Sequence, residues 1–424
     1  MTQSSPLSGI RVLDLTRILA GPWAVQNLAD LGAEVIKVEK PLSGDDTRHF
    51  GPPFIHDDAG AKIHAAYFLA CNRGKKSVTI DISTHEGQGL IRALVAQCDV
   101  LVENFKVGAL AKFGLDYESL RKELPDLIYC SITGFGQTGP YAKRPGYDTL
   151  IQGMGGLMSV TGERDDKPGG GPQRVGVAVS DLFTGMYAAL AVLAALRHRE
   201  HGGGGQHIDI AMLDVQVGLL VNQSINYLTT GVVPTRVGNG HPNIAPYQAF
   251  AAADGHVILA IGNDQQYERF CRSVGRADLA TDPRYGTSSN RLAHVDSLIA
   301  EMNEITRCRT VDEWVAAMEA VGVPCGPINT IDRVFADPQV QARNMLLTLK
   351  HARAGSVPSI ANPMRFSATP IRYDRVPPML GEHSEEVLSS LLGLGPAEIE
   401  HLQETAIVGR YGQPDPTYNK GDPT

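Results

Sequence analysis

The first 136 residues alternate between short apolar runs and stretches with helical periodicity, and this alternation constrains the fold more than any other feature. The runs Ile10–Thr16 and Ala33–Pro41 flank a helical stretch that ends at Gly32. A similar unit begins at Ser77–Ile82, and the segment 127–136 adds a further strand. Because two strands joined through a helix lie parallel with a right-handed crossover, the pattern predicts an α/β fold with an open parallel sheet.

Loops beyond the carboxyl ends of these strands form the predicted binding site, since ligands of open α/β sheets bind there. The chain has 45 glycines in 424 residues, about 11% against a usual value near 7%. Glycines at this density fit many tight turns at strand ends. The loops predicted to form the site are 16–22, 39–48, 103–112 and 133–148.

Composition excludes several classes of protein. Hydrophobic residues make up 43% of the chain and the formal net charge is −8, which is ordinary for a globular protein and unlike a disordered one. The acidic balance argues against a nucleic-acid-binding protein. The six cysteines contain no C-x-x-C pair, so no metal site is expected. No basic and apolar leader is apparent at the N-terminus, so we expect a cytoplasmic protein.

A long apolar stretch lies between Arg174 and Arg197, with one charge at Asp181. Its length would allow it to cross a membrane. A carboxylate near the centre of an isolated apolar helix is costly in lipid, so a buried helix of a non-membrane protein is predicted instead. Asp181 would be its N-cap or lie in its first turn, where the helix dipole favours the ionised form.

The chain is predicted to contain a large and a small domain. From about Asn226 short strands appear, with Asp254-Gly255 as a hairpin turn. The predicted large α/β domain begins with 1–225, 226–329 form a smaller domain, and 330–424 return to the large domain and end in a tail. The glycine run Gly202–Gly205 lacks the residues of a phosphate-binding loop and is interpreted as a flexible connector. A poorly ordered end is expected for 413–424.

Nine segments, spread over nearly the whole chain, resemble the class III CoA-transferases, the family of formyl-CoA transferase and the carnitine CoA-transferases. The resemblance implies a Rossmann-like large domain built from both chain ends, a smaller α+β domain and an interlocked homodimer. The GNGHPNIAPYQAF segment is similar to the members that move CoA among short dicarboxylates, such as glutarate. The segments are PLSGIRVLDLTRILAGP, LGAEVIKVEKPLSGDDTR, NRGKKSVTIDI, DVLVENF, GFGQTGPYAKRPGYDTLIQGMGGLMSVTG, VSDLFTGMYA, GVPCGPINT, ADPQVQAR and PPMLGEH.

The resemblance implies roles for individual residues. Asp181, in the family's D-x-x-T-G context, would be the nucleophile, although a simple helix cap is the alternative from the residues alone. Tyr147 and Asp148 match an aromatic–acidic pair near the acyl group. Gly238, Asn239 and Gly240 match a mobile glycine loop over the site. The residues that would bind CoA are Arg17, Ala20, Lys40, Asn72, Lys75, Lys76, Asn104, Phe105 and Lys112.

The implied reaction carries CoA through an anhydride and an aspartyl-CoA thioester at Asp181. An acyl-CoA and a free carboxylic acid are the substrates, and neither a metal nor another cofactor is expected. Arg48 or Arg174 is a candidate to hold the second carboxylate of a dicarboxylic acid. Leu19 stands where formyl-CoA transferase has a glutamine, which disfavours the formyl and oxalate pair.

Two rival functions are less consistent with the sequence. The α-methylacyl-CoA racemases of the same superfamily use a His–Asp pair, with the histidine where this chain has Tyr147. Because a tyrosine has an ordinary pKa of about 10, it is a poor base for taking an α-proton at neutral pH. A non-catalytic CoA-binding scaffold is disfavoured because Asp181, Tyr147 and the glycine loop are all present.

Overall fold

The computed structural model describes residues 5–412, so the prediction for 413–424 lies outside the described residues. Contacts divide the chain into two compact units. Unit 1 comprises Met1–Gly156, Gly176–Val221 and Gln341–Thr424, and unit 2 comprises Leu157–Val175 and Asn222–Val340. The segment 157–175 thus groups with unit 2, whereas the predicted boundaries included it in the large domain. One reason is a set of contacts within unit 2, where Arg236 pairs with Asp165 and donates to the carbonyl oxygen of Glu163.

Strands and helices alternate through the first half of the described chain. Short 3-10 helices occupy Asp46–His49 and Ala111–Phe113. The strands are β1 Arg11–Asp14, β2 Glu34–Glu39, β3 Phe54–His56, β4 Lys62–Ala65, β5 Lys75–Thr79, β6 Val100–Glu103, β7 Ile128–Thr133, β8 His207–Ala211, β9 Tyr247–Ala251, β10 His256–Ala260, β11 Cys325–Pro327, β12 Leu346–His351 and β13 Gly355–Ile360. The helices are α1 Ala20–Asp30, α2 Ala66–Cys71, α3 His85–Val95, α4 Tyr117–Leu120, α5 Asp148–Met154, α6 Leu157–Val160, α7 Val179–Glu200, α8 Met212–Leu219, α9 Val221–Thr230, α10 Asp264–Ser273, α11 Ala277–Thr281, α12 Ser288–Ala293, α13 Val295–Thr306, α14 Val311–Ala320, α15 Ile331–Ala336, α16 Pro338–Ala342, α17 Ser384–Leu392 and α18 Pro396–Glu404.

Unit 1 is built on a six-stranded parallel sheet, which confirms the predicted α/β fold. The strands lie in the order β5-β2-β1-β6-β7-β8 and all five pairings are parallel. Counted along the chain this is the order 3-2-1-4-5-6, which reverses direction between β1 and β6. Alternate side chains of β1 enter two separate cores, Val12 on the side of α1 and α7 and Leu13 on the side of α3, α17 and α18. Both sheet faces are therefore buried, which explains the continuous apolar runs in the sequence.

Helix α7 is the apolar stretch predicted to be a buried helix, and it is buried on one side only, since Phe183, Met186, Tyr187 and Leu190 are exposed. Among the described helices it alone is long and apolar enough to cross a membrane. Its small residues Ala188 and Ala189 are buried within the core that holds α1, and Gly185 is buried as well. Asp181 lies in the first turn, one of the two predicted positions, whereas the N-cap is Ala178 and makes no side-chain capping bond.

Unit 2 has its own core around the buried Trp314, whose indole N–H donates to the carbonyl oxygen of Thr306 at 2.7 Å. Strands β9 and β10 form an antiparallel hairpin across Asp254-Gly255, as predicted. Strand β11 pairs with the other edge of β10.

The glycine run after α7 is packed more closely than a flexible connector would be. The amide of Gly205 donates to the carbonyl oxygen of Pro125 at 3.0 Å. A Cβ on Gly205 would lie 2.3 Å from the carbonyl oxygen of Leu127, just before β7. A Cβ on Gly204 would meet only the carbonyl oxygen of Pro125, at 3.7 Å. The run therefore lets the chain pass close to the backbone that leads into β7.

The two neighbouring glycines provide a matched test. We expect Gly205→Ala to lower the free energy of unfolding by about 1–3 kcal/mol, because the added methyl group forces the backbone apart. Gly204→Ala should leave it nearly unchanged. Urea unfolding followed by circular dichroism measures both, and equal effects of the two substitutions would contradict the close packing at Gly205.

Candidate functional site

A cavity of about 340 Å³ opens in unit 1 where the strand order reverses. Three loops that follow β1, β6 and β7 form its walls, as the sequence predicted for loops 16–22, 103–112 and 133–148. The fourth predicted loop, 39–48, does not line this cavity. The first turn of α7 adds Asp181. The lining residues are Arg17, Ile18, Leu19, Ala20, Asn104, Phe105, Lys106, Val107, Ala109, Ile132, Thr133, Gly134, Ala142, Arg144, Pro145, Gly146, Tyr147, Asp181 and Met212.

The structure brings together six of the predicted site residues around this cavity. They are Arg17, Ala20, Asn104, Phe105, Tyr147 and Asp181. Two further cations, Lys106 and Arg144, line the cavity and were not singled out from the sequence. Their positions in the sequence could have identified them, because both lie in loops predicted to form the site.

Lys75 and Asn72 do not reach the cavity, which contradicts their predicted contact with CoA. The Lys75 ammonium is fully buried and donates to Asp14 Oδ2 at 2.9 Å, to the carbonyl oxygen of Pro22 and to Asn72 Oδ1. Lys76, next along β5, pairs with Glu34 and Glu386. These side chains are engaged inside the protein because partners of opposite charge lie on adjacent elements.

A second set of buried charges lies beside the first. The Lys37 ammonium donates to Asp45 Oδ2 at 2.9 Å and to the carbonyl oxygen of Thr16 at 2.8 Å. Burial alone would raise the pKa of Asp45, but the Lys37 charge and the hydrogen bonds from Lys37 and Thr47 together outweigh it and lower the pKa to about 2. Arg48 binds both oxygens of Glu39 at 2.7 Å. Arg48 is therefore occupied, and its predicted role as a clamp for a substrate carboxylate is wrong.

The loop after β1 is fixed by these charges and by Asn104. The Asn104 side chain accepts from the Arg17 amide at 2.9 Å and donates to the Arg17 carbonyl oxygen at 2.8 Å. Ile18 has φ +70°, a conformation that costs a β-branched residue energy. Its amide points to Asp45 Oδ1 at 3.3 Å. Asn104 thus holds the cavity wall in place, and its amide group is used within the protein.

Two glycines fix the loop that carries Tyr147. A Cβ on Gly134 would lie 2.6 Å from the Cα of Gly146, and a Cβ on Gly146 would lie 2.4 Å from the Cα of Gly134. The two backbones therefore touch, which requires glycine at both positions. This contact sets the start of α5, where Tyr147 is the N-cap and 68% exposed.

The D-x-x-T-G context of Asp181 has a packing explanation. The Thr184 hydroxyl donates to the carbonyl oxygen of Ser180 at 2.6 Å inside α7. A Cβ on Gly185 would lie 2.5 Å from the carbonyl oxygen of Ala20. Glycine therefore lets α7 approach the start of α1, and this approach places Asp181 against the same cavity as Ala20.

Asp181 is held in an environment that disfavours its charge. Burial and the nearby Asp148 carboxylate raise its pKa from 3.8 to about 7. The sequence predicted that the helix dipole would favour the ionised form. The carboxylate at the positive end of the helix is instead that of Asp148, whose Oδ1 accepts from the amides of Ser180 at 2.9 Å and Asp181 at 3.4 Å. Asp148 is buried and does not line the cavity, contrary to its predicted position near the acyl group.

The remaining predicted residues lie away from this cavity or in the other unit. Lys40 and Lys112 are exposed, and the Lys112 ammonium lies 4.5 Å from the centre of the Phe113 ring. In unit 2, Gly238 has φ +61° in a turn where the Gly240 amide donates to the Val237 carbonyl oxygen. Within residues 5–412 no group of three or more His, Cys, Asp or Glu side chains is arranged to hold a metal ion.

Two lysines predicted to bind CoA should respond differently to substitution. We expect Lys75→Met to lower the free energy of unfolding by about 3–5 kcal/mol, because Asp14 is left buried without its partner. Lys40→Met, at an exposed position, should leave the melting temperature unchanged. Calorimetry at pH 7 measures both, and a stable Lys75→Met protein with weakened CoA binding would contradict the structural role of Lys75.

Comparison with known proteins agrees with the predicted resemblance. Residues 7–384 match the family model described as CoA-transferase family III. The succinate–glutarate CoA-transferase of Agrobacterium fabrum is 52% identical over 406 residues, covering 95% of this chain and 97% of that protein. Human succinyl-CoA:glutarate CoA-transferase is 39% identical over 411 residues, covering 97% and 92%. The crystal structure of a CAIB/BAIF family protein from Brucella suis is 51% identical with a TM-score of 0.82, covering 92% of this chain and all of that one. The chain belongs to CoA-transferase family III.

Proposed function

We propose that this protein moves CoA from an acyl-CoA donor such as succinyl-CoA to a short free dicarboxylic acid. The observation that carries the proposal is Asp181, the one carboxylate among the described residues that line the cavity. Its pKa of about 7 leaves a large ionised fraction at neutral pH and makes the carboxylate more basic than usual. The relatives named for succinate and glutarate support a dicarboxylic acid as the acceptor.

The proposed reaction has four steps at Asp181. Its carboxylate attacks the donor thioester, the C–S bond breaks, and CoA leaves as a thiolate from a mixed anhydride. The thiolate attacks the Asp181 carbonyl of the anhydride and expels the donor acid, which leaves an aspartyl-CoA thioester. The acceptor carboxylate attacks that thioester and displaces CoA thiolate. The thiolate then attacks the acceptor acyl group and releases the Asp181 carboxylate, so no net proton or electron is consumed.

The other cavity residues have binding roles in this proposal. Arg17, Lys106 and Arg144 supply positive charge for the phosphates of CoA and for substrate carboxylates. Phe105 offers an apolar face beside Arg17, whose guanidinium lies 5.9 Å from the ring centre. Backbone N–H groups around the cavity would stabilise the oxyanions. CoA is a substrate here, and no other cofactor enters the scheme.

A racemase remains the rival of the same superfamily. It would need two bases on either side of an α-carbon, and Tyr147 takes the position of the histidine that serves there. The names of the relatives also favour transfer. Incorporation of deuterium at the α-carbon of an acyl-CoA in D₂O, without an acceptor acid, would support the racemase instead.

The central experiment traps the intermediate on Asp181. We expect incubation with succinyl-CoA followed by borohydride to modify the peptide that contains Asp181, as read by mass spectrometry. Asp181→Ala should abolish CoA exchange between succinyl-CoA and glutarate. Asp214→Asn, which changes an exposed carboxylate on the neighbouring α8, should leave exchange intact. Exchange that survives in Asp181→Ala would refute the proposed nucleophile.

The protein is also proposed to form a homodimer, interlocked as in the family it belongs to. Exposed apolar side chains on unit 1 support an interface, since large exposed apolar patches mark interaction sites. They are Leu150 and Met154 on α5 and Phe183, Met186, Tyr187 and Leu190 on α7.

Light scattering should therefore report a particle of two 45.5-kDa chains. Because interlocked chains separate only on unfolding, tagged and untagged dimers should exchange subunits in denaturant and not in buffer. A monomer at micromolar concentration would contradict the dimer, and exchange in buffer would contradict the interlocking.

A further inference from the structure

Two carboxylates meet at the start of α7, and only one of them faces the cavity. Asp181 lines the cavity, whereas Asp148 lies at the start of α5 and is 9% exposed. The transfer reaction proposed above uses Asp181 and gives no task to Asp148. A buried carboxylate is costly unless its oxygens are hydrogen-bonded, so the partners of Asp148 indicate what it does.

Both oxygens of Asp148 are occupied by donors of the protein. Oδ1 accepts from the amides of Ser180 and Asp181, at 2.9 and 3.4 Å. Oδ2 accepts from Gln152 Nε2 at 2.7 Å. The N-cap residue of α7, Ala178, has no side chain that can cap the helix. Asp148 therefore supplies the missing cap from a different helix and fixes the backbone of Asp181 itself.

The residue before Asp181 is also fixed from its other side. The Ser180 hydroxyl donates to Gln216 Oε1 on α8 at 2.7 Å, and both side chains are fully buried. A Cβ on Gly155 would lie 2.3 Å from Gln216 Cγ, so glycine leaves the space that Gln216 fills. The first turn of α7 is thus held by α5 through Asp148 and by α8 through Gln216.

The charge of Asp148 has a chemical consequence for Asp181. Together with burial it raises the pKa of the Asp181 carboxyl. A more basic carboxylate attacks a thioester more readily. In the mixed anhydride the weaker base leaves more easily, so thiolate attack at Asp181 that expels an ordinary carboxylate is favoured over attack that expels Asp181. In the last step Asp181 is itself the leaving group and the same charge opposes its release, so the negative charge behind the nucleophile favours the aspartyl-CoA thioester over either mixed anhydride.

We propose that Asp148 is a positioning residue, which caps α7 to fix the Asp181 backbone and whose negative charge keeps the Asp181 carboxylate strongly nucleophilic. The inference rests on the proposed transfer function. A role as a general base that touches substrate is not supported, because both oxygens are engaged and Asp148 does not line the cavity.

Other charged and titratable groups also face Asp181. The phenol of Tyr67 on α2 is close enough for the Asp181 charge, after burial, to help raise its pKa to about 12. Around the cavity the remaining groups are Arg17, Lys106, Arg144 and Tyr147. None of them is altered by a substitution at Asp148, so a shift that follows Asp148 alone is attributable to its charge.

Two substitutions separate the cap from the charge. Asp148→Asn keeps an oxygen that accepts from the Ser180 and Asp181 amides and removes the charge, whereas Asp148→Ala removes both. For Asp148→Asn we expect the acid limb of kcat/KM for succinyl-CoA to move to lower pH by about one unit. We also expect a reduced kcat at pH 8 and a near-native melting temperature. For Asp148→Ala we expect a lower melting temperature at every pH.

The kinetic control is Asp214→Asn, whose acid limb should stay where it is in the wild type. An unmoved acid limb in Asp148→Asn would overturn the proposal. A raised KM with unchanged kcat would overturn it as well, because it would mean that Asp148 contacts substrate.

Thermal stability gives a readout that needs no activity. A carboxyl whose pKa is raised by folding destabilises the protein as pH rises from its unfolded pKa, about 4, to its folded pKa, here about 7. The wild type should therefore lose stability relative to Asp181→Asn between about pH 4 and pH 7, with no further loss at higher pH. In an Asp148→Asn background the same loss should be smaller and should be complete at lower pH.

A double-mutant cycle compares the melting temperatures of the wild type, Asp148→Asn, Asp181→Asn and the double variant. Coupling between positions 148 and 181 that appears at pH 8 and vanishes at pH 5 would support the proposal, and coupling independent of pH would overturn it. If no donor yields a trapped intermediate on the wild type, the proposed function fails, and the stability cycle still decides the role of Asp148.

Discussion

Buried ion pairs beneath the loop after β1 determine the shape of the site. Lys75 with Asp14 and Lys37 with Asp45 are fully removed from water, and each ammonium also donates to a backbone carbonyl. Charges so deeply buried are tolerated only when paired and hydrogen-bonded, and loss of one partner leaves the other uncompensated. Because Thr16 and Ile18 are bonded directly to these groups, the loop shares the rigidity of the sheet.

The sheet was predictable from sequence because its signal is local. Neighbouring residues of β1, such as Val12 and Leu13, are both apolar since they enter cores on opposite faces. The direction of a lysine side chain has no such local signal. Lys75 and Lys76 are adjacent in a motif that suggested CoA binding, yet their partners Asp14 and Glu34 are 61 and 42 residues away. Only the strand order brings those charges together.

The contrast between local signals and long-range contacts applies also to the proposed nucleophile, Asp181. The sequence placed it at the N-cap or in the first turn of α7, and it predicted three of the loops that form the cavity. Its electrostatic environment did not follow, because the capping carboxylate of Asp148 lies 33 residues earlier. The Asp148 carboxylate accepts from the first amides of α7 and so occupies the positive end of the helix dipole. The dipole therefore does not favour the Asp181 charge, and burial determines the direction of the Asp181 pKa shift.

The conformation of Ile18 has a consequence for how substrate range is set. Its left-handed backbone is fixed by Asp45 at its amide and, through Arg17, by Asn104. The backbone of this loop already has its final conformation before a thioester binds, so binding loses little free energy to ordering the loop. Side chains of this loop that face the cavity, such as Leu19, can therefore be substituted without moving the backbone. Selectivity for different acids then depends on a few side chains carried by a backbone that does not change.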